Sequence, residues 1–93
     1  MVTAITLMNI ERGKIDSVAD QLVEIQGVSE VYSVSGQYDL IAVIRVKQNE
    51  DLADVVTEHI RKIEGIQRTE TMLAFRAYSR HDLEGMFAIG MDA

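Results

Sequence analysis

Apolar positions recur along this chain in two rhythms. Ile15, Val18, Ala19, Leu22 and Val23 fall on one stripe of a helix, and Leu52, Val55, Val56, Ile60 and Ile63 repeat that spacing farther along. Elsewhere the rhythm shortens to alternation in segments rich in β-branched residues, which predicts strands over Thr3–Ile10, Glu30–Ser35, Leu40–Lys47 and Arg68–Ser79. Asn49 is the expected N-cap of the second helix, Glu50 and Asp51 suit its positive end, and Arg61 and Lys62 suit its negative end. The first helix starts less distinctly, near Gly13.

The second half of the chain echoes the first. "EIQGVSEVYSVS" (Glu24–Ser35) and "KIEGIQRTETML" (Lys62–Leu73) each run from a helix end through a Gly into a strand. Gly27 and Gly65 are expected as C′ residues, where a left-handed conformation costs Gly little. The predicted order is β-α-β-β-α-β with a hairpin at its centre. That order implies an α+β, ferredoxin-like plait: a four-stranded antiparallel sheet with two helices on one face.

One face of that sheet is expected to lack cover. In the third strand Leu40, Ala42, Ile44 and Val46 point to one side, while Ile41 and Val43 point to the other. The first strand is likewise apolar on both sides, with Ile5 and Leu7 opposed to Val2, Ala4 and Met8. A sheet face that met water should carry polar residues instead. The simplest cover is a second copy of the chain packed sheet to sheet, as in a dimeric α/β barrel. The alternative cover is the tail, where "HDLEGMFAIGM" (His81–Met91) places Leu83, Met86, Phe87 and Ile89 in a short helical segment. The favoured arrangement is a dimer, with the tail packing on the assembly.

Composition narrows the picture. A chain of 93 residues fits one domain, taken as 1–79 followed by a tail over 80–93, and it is near the size where one core barely suffices. It has no Cys, so neither disulfides nor thiolate metal sites can reinforce it, and burial against another subunit is the expected supplement. A formal charge of −6, from 15 acidic and 9 basic side chains, disfavours nucleic acid and anionic membranes as partners. No apolar run approaches the ~20 residues of a membrane span, and no basic region precedes the apolar start, so a cytoplasmic protein is expected.

Catalytic chemistry is sparse. The two His, His59 and His81, match no metal-ligand spacing; His59 is expected as a half-buried packing residue, and His81-Asp82 as a solvated hinge. The six Gly form no phosphate-binding loop, and Ser33, Ser35 and Ser79 have no nearby base. The third strand lacks the aromatic residues that sheet-based RNA binders use for stacking. Arg68, Arg76 and Arg80 give the last strand a basic edge that is expected to be solvated or interfacial. No cofactor is called for.

What remains is the hairpin loop Gly36-Gln37-Tyr38-Asp39. Taken alone it reads more readily as a turn, since Gly permits positive φ and Asp bonds to nearby backbone. Its groups also suit a small zwitterion, with backbone N–H groups for a carboxylate and Asp39 for an ammonium. The G-x-Y-D turn within "GVSEVYSVSGQYDLIAVIRV", the G-(V/I)-x-x-T-x-T run within "IEGIQRTETMLAF" and the element order resemble the effector-binding (RAM) domain of Lrp/AsnC-type regulators over residues 2–79.

That resemblance implies a sheet-paired dimer that assembles further into an octamer or similar ring, with amino-acid effectors bound where dimers meet. It implies an effector-binding role for Gly36, Gln37, Tyr38 and Asp39, and for Thr69, Thr71, Met72 and Ala74 on the last strand. Full-length members begin with a helix-turn-helix domain, whereas this chain begins at the first strand. It therefore resembles the stand-alone domain, expected to sense an amino acid or to co-assemble with full-length regulators without gripping DNA. Two other readings stand beside it: a small dimeric enzyme of the cofactor-free monooxygenase or isomerase type, with His59 as its candidate group, and a purely structural adaptor.

Overall fold

Alternation along β1 (Val2–Ile10) decides where the core lies. Ala4, Thr6, Met8 and Ile10 are buried, while the residues between them are only half-buried. In the computed structural model, which describes residues 1–78 and 80, β1 is followed by α1 (Ile15–Val23), β2 (Val28–Ser33), β3 (Leu40–Val46), α2 (Asn49–Asp54) and β4 (Ile66–Ala74). The strands form one antiparallel sheet in the order β2-β3-β1-β4. This is the expected plait, with both helices on one face.

Pairing puts Ala4 opposite Ile44, Thr6 opposite Ala42 and Met8 opposite Leu40. Paired residues point to the same side of a sheet, and this side meets Val18 and Leu22 of α1 and Val55 and Ile60 beyond α2 in one buried cluster. Each such side chain contributes on the order of 1.5–3 kcal/mol by leaving water. Thr6, the buried polar residue of this face among the described residues, shares a 2.9 Å hydrogen bond with the Thr71 hydroxyl. Ile5, Leu7, Ile41 and Val43 lie on the opposite face with Tyr32 and Met72, and neither helix reaches them.

The predicted second helix is not uniform. After α2 the chain widens into a π-helical turn over Val55–His59 and then tightens into a 3₁₀ turn over Ile60–Lys62. The Thr57 hydroxyl donates to the Ala53 carbonyl at 2.7 Å, competing for an acceptor of the regular ladder. In an α-helix Ile60 would lie about 140° around the axis from Val55. The wider turn brings both into the core. It also leaves His59 exposed, against its expected half-burial.

Smaller differences have local causes. The residue capping α2 is Gln48 rather than Asn49; it is extended, and its N–H donates to Asp51 Oδ2 at 3.3 Å. Val23 is 54% exposed, because α1 ends there and Leu22 beside it takes the inward position. β2 begins at Val28, two residues before the expected start, since a register shift between Val28 and Glu30 interrupts the alternation. β4 starts earlier than expected and stops at Ala74, the last residue with a partner on β1, Thr3. The predicted tail segment His81–Met91 lies outside the described residues.

Gly27 and Gly65 are left-handed as expected, with φ of +104° and +105°. Neither is the C′ residue of its helix: α1 caps at Glu24 and the 3₁₀ turn at Ile63, and each Gly sits in the tight turn that follows. At Gly27 space is short as well, since a Cβ would come within 3.0 Å of Val46 Cγ1 and 3.1 Å of Val55 Cγ2. Gly27→Ala is expected to lower stability by about 1–3 kcal/mol, from backbone strain and displaced valines together. Chemical denaturation with an unchanged slope is the check; a midpoint equal to the parent would contradict it.

Candidate functional site

The β2–β3 connection is fixed to the end of β1 rather than left as a free hairpin tip. Leu40, the first residue of β3, pairs with Met8 on β1, and the residue before it, Asp39, extends the ladder by other means. Its N–H donates to the Met8 carbonyl at 2.8 Å, and its Oδ2 accepts the Ile10 N–H at 2.8 Å. That N–H lies where β1 and β4 shift register, between Asn9 and Ile10. A carboxylate therefore stands in for the next strand residue. The Val34 N–H donates to the Asp39 carbonyl at 3.0 Å and closes the loop.

Two side chains complete the attachment. Asn9 Nδ2 donates to the Gln37 carbonyl at 2.7 Å. The Tyr38 hydroxyl donates to a carboxylate oxygen of Glu70, crossing β1 to reach β4. The Glu70 bond raises the Tyr38 phenol above its usual pKa, because a phenolate beside an accepting carboxylate is disfavoured. Gly36, with φ of +107° and open space around it, lets the chain reverse at the tip.

The same loop leaves groups unused. Among the described residues, the N–H groups of Gly36, Gln37 and Tyr38 have no hydrogen-bond partner, and neither does Asp39 Oδ1. Gly36 and Gln37 are exposed, while Tyr38 and Asp39 are half-buried. Three free donors and a carboxylate oxygen on an anchored loop can serve a ligand that carries both a carboxylate and an ammonium.

The predicted β4 residues do not converge on this loop within one chain. Thr69 pairs with Met8 and Thr71 with Thr6, which places both on the helix side of the sheet; of the two, Thr69 is nearer the loop. Met72 pairs with Ile5 and Ala74 with Thr3, placing them on the opposite face. Ala74 lies about 17 Å along β4 from Thr69, at ~3.3 Å per residue. Two residues that touch the loop, Asn9 and Glu70, were absent from the predicted set. Glu70 stands between the threonines of the T-x-T run, a position a local reading treats as spacer. Asn9 gives no sequence signal beyond ending the apolar run of β1.

Among the described residues no group of three or more His, Cys, Asp or Glu side chains could hold a metal ion, and no helix is long and apolar enough to cross a membrane.

Comparison with known proteins places the chain. The HTH-type transcriptional regulator FL11 of Pyrococcus furiosus is 32% identical over 77 residues, which are 83% of this chain and 50% of that protein. The chain thus spans about half the length of the curated relatives it matches. The crystal structure of TTHA0845 from Thermus thermophilus has 48% identity and a TM-score of 0.80, covering 86% of this chain and all of that one. Two more distant structures share the fold. One is the transcriptional regulator NMB0573 of Neisseria meningitidis in complex with L-Met, with 11% identity, a TM-score of 0.75 and coverage of 85% of this chain and 53% of that one. The other is the feast or famine regulatory protein Rv3291c of M. tuberculosis complexed with L-methionine, with 23% identity, a TM-score of 0.71 and coverage of 86% and 54%. The family model of the Lrp/AsnC ligand binding domain matches residues 3–83, and with that match the chain belongs to the Lrp/AsnC ligand-binding-domain family.

Proposed function

We propose that this domain senses a small amino acid for transcriptional regulation, without catalysing a reaction, and binds it against Gly36–Asp39. The observation that carries the reading is the anchored loop in which the N–H groups of Gly36, Gln37 and Tyr38 and Asp39 Oδ1 are left without partners among the described residues. An effector carboxylate meets the N–H groups of Gly36, Gln37 and Tyr38, and its ammonium meets Asp39. The L-methionine complexes of two regulators with this fold support an amino acid as the ligand class.

Thr69 and Thr71 on one side of β4, and Met72 and Ala74 on the other, cannot all face one effector from a single chain. A site completed by a neighbouring copy accommodates that division. The open face built on Ile5, Leu7, Ile41 and Val43 supports sheet-to-sheet dimerisation as the first step. Assembly of dimers into an octamer or similar ring then brings loops and β4 strands of different subunits together, and a ligand bound between them stabilises that contact. Mixed assembly with full-length Lrp/AsnC regulators is the proposed route to transcription. The enzyme reading loses support because the space between sheet and helices is packed with apolar side chains, with Thr6 as the buried polar residue and His59 outside it.

Three outcomes test this reading. Replacing Leu7 or Ile41 by Lys should give a monomer in sedimentation analysis, because a charge cannot be buried unpaired between two sheets; an unchanged mass would contradict the sheet interface. In a thermal-shift screen of the common amino acids, a ligand at 100 times its dissociation constant adds about 2.7 kcal/mol. That raises the midpoint by about 14 °C for a chain of this size. No shift with any amino acid would count against the sensing role. Asp39→Asn retains an oxygen to accept the Ile10 N–H and removes the charge. It should leave the oligomer intact and abolish the ligand shift; a full shift in the variant would remove Asp39 from the site.

A further inference from the structure

A second recess lies at the other end of β3, about 20 Å from the loop at ~3.3 Å per strand residue. It is an open cleft of about 590 Å³ between the end of β3, the turn after α1 and the irregular part of the second helix. Gly27, Val46 and Val55 supply apolar lining, and Gly27 lies so close to both valines that a Cβ there would press on each. Lys47, Asp54 and His59 bring charge and polarity to the same cleft.

The charges bordering the cleft differ in their commitments. Arg45 Nη1 bonds Ser29 Oγ at 3.0 Å and pairs with Glu30 at 3.9 Å, and Asp51 Oδ2 accepts the Gln48 N–H. Lys47 and Asp54 have no ion pair within 4.0 Å among the described residues. The π-helical turn borders the same cleft: it places Val55 in the lining and exposes His59 beside it. Such turns recur at functional sites.

We propose that this cleft is a separate binding site for a small zwitterion, its anionic group held by Lys47 and His59, its cationic group by Asp54, and its aliphatic part on Val46 and Val55. A simple anion would meet the repulsion of Asp51 and Asp54, and a simple cation that of Arg45 and Lys47. A molecule carrying both signs satisfies each free group, and the volume suits a ligand of that size. The proposal stands apart from the loop, whose residues it does not use.

The test is amide mapping by NMR on the full chain. L-methionine and L-glutamate are titrated as zwitterions, with acetate and methylamine as probes carrying one charge each. Saturable shifts are expected at Gly27, Val46, Lys47 and Val55 with the amino acids, and neither single-charge probe should reproduce them at equal concentration. Lys47→Ala and Asp54→Asn, both at exposed positions, should each weaken the response at least about tenfold, whereas Asp39→Asn should leave it unchanged. Shifts confined to Gly36–Asp39 would overturn this site and leave the loop reading standing. Shifts confined to the cleft would do the reverse. An equal response to acetate, or a response indifferent to Lys47→Ala, would overturn the zwitterion assignment.

Discussion

Two short helices cannot cover both faces of a four-stranded sheet, and the rest of this structure is arranged around that shortage. Ala4, Met8, Leu40, Ala42 and Ile44 take the covered side and form the core with Val18, Leu22, Val55 and Ile60. Ile5, Leu7, Ile41 and Val43 are equally apolar, and neither α1 nor α2 lies over them. A chain of 93 residues already buries a smaller share of its surface than a larger domain would. If that face pairs with a second copy as proposed, stability and association become hard to separate, since the burial that joins the subunits also contributes to holding each together.

The loop shows how a turn can be held rigid while some of its polar groups stay uncommitted. Asp39 commits its N–H to Met8 and one carboxylate oxygen to Ile10, while Asn9 and Glu70 hold the neighbouring residues. These bonds fix the backbone while the N–H groups of Gly36, Gln37 and Tyr38 keep no partner among the described residues, and a fixed backbone lowers the ordering cost of any ligand bound there. In the proposed reading, turn and site are two uses of the same residues. The commitments of Asp39 explain why a turn-forming Asp and a ligand-binding Asp are hard to tell apart locally.

Much of the fold was legible because alternation and helical spacing leave strong marks. The two-sided apolar pattern of β3 gave the faces of the sheet correctly, and the repeated Gly positions gave left-handed turns. What escaped notice depends on irregular hydrogen bonding. Ile60 fits an α-helical stripe through Val56, four residues before it, which masks its 140° offset from Val55 and with it the π turn, and His59 beside it was consequently placed too deep. In the loop, the motif drew attention to Gly36–Asp39, whereas Asn9 and Glu70 come from strands distant in sequence and become neighbours only through sheet register. The predicted β4 residues were read as one set, yet strand alternation divides them between two faces.

The π-helical turn at Val55–His59 also bears on how this chain can vary. A π turn holds one residue more than an α-helical turn requires, so it amounts to an insertion absorbed locally. Deleting one residue from a regular helix rotates everything beyond it by about 100° and strips the core of its partners. Deleting one here would let the helix close into regular turns while Ile60 and β4 stay close to their present positions. The segment is thus a place where the length of the chain can drift by one residue without moving the sheet, and where the wall of the adjoining cleft can be remade at little cost to the fold.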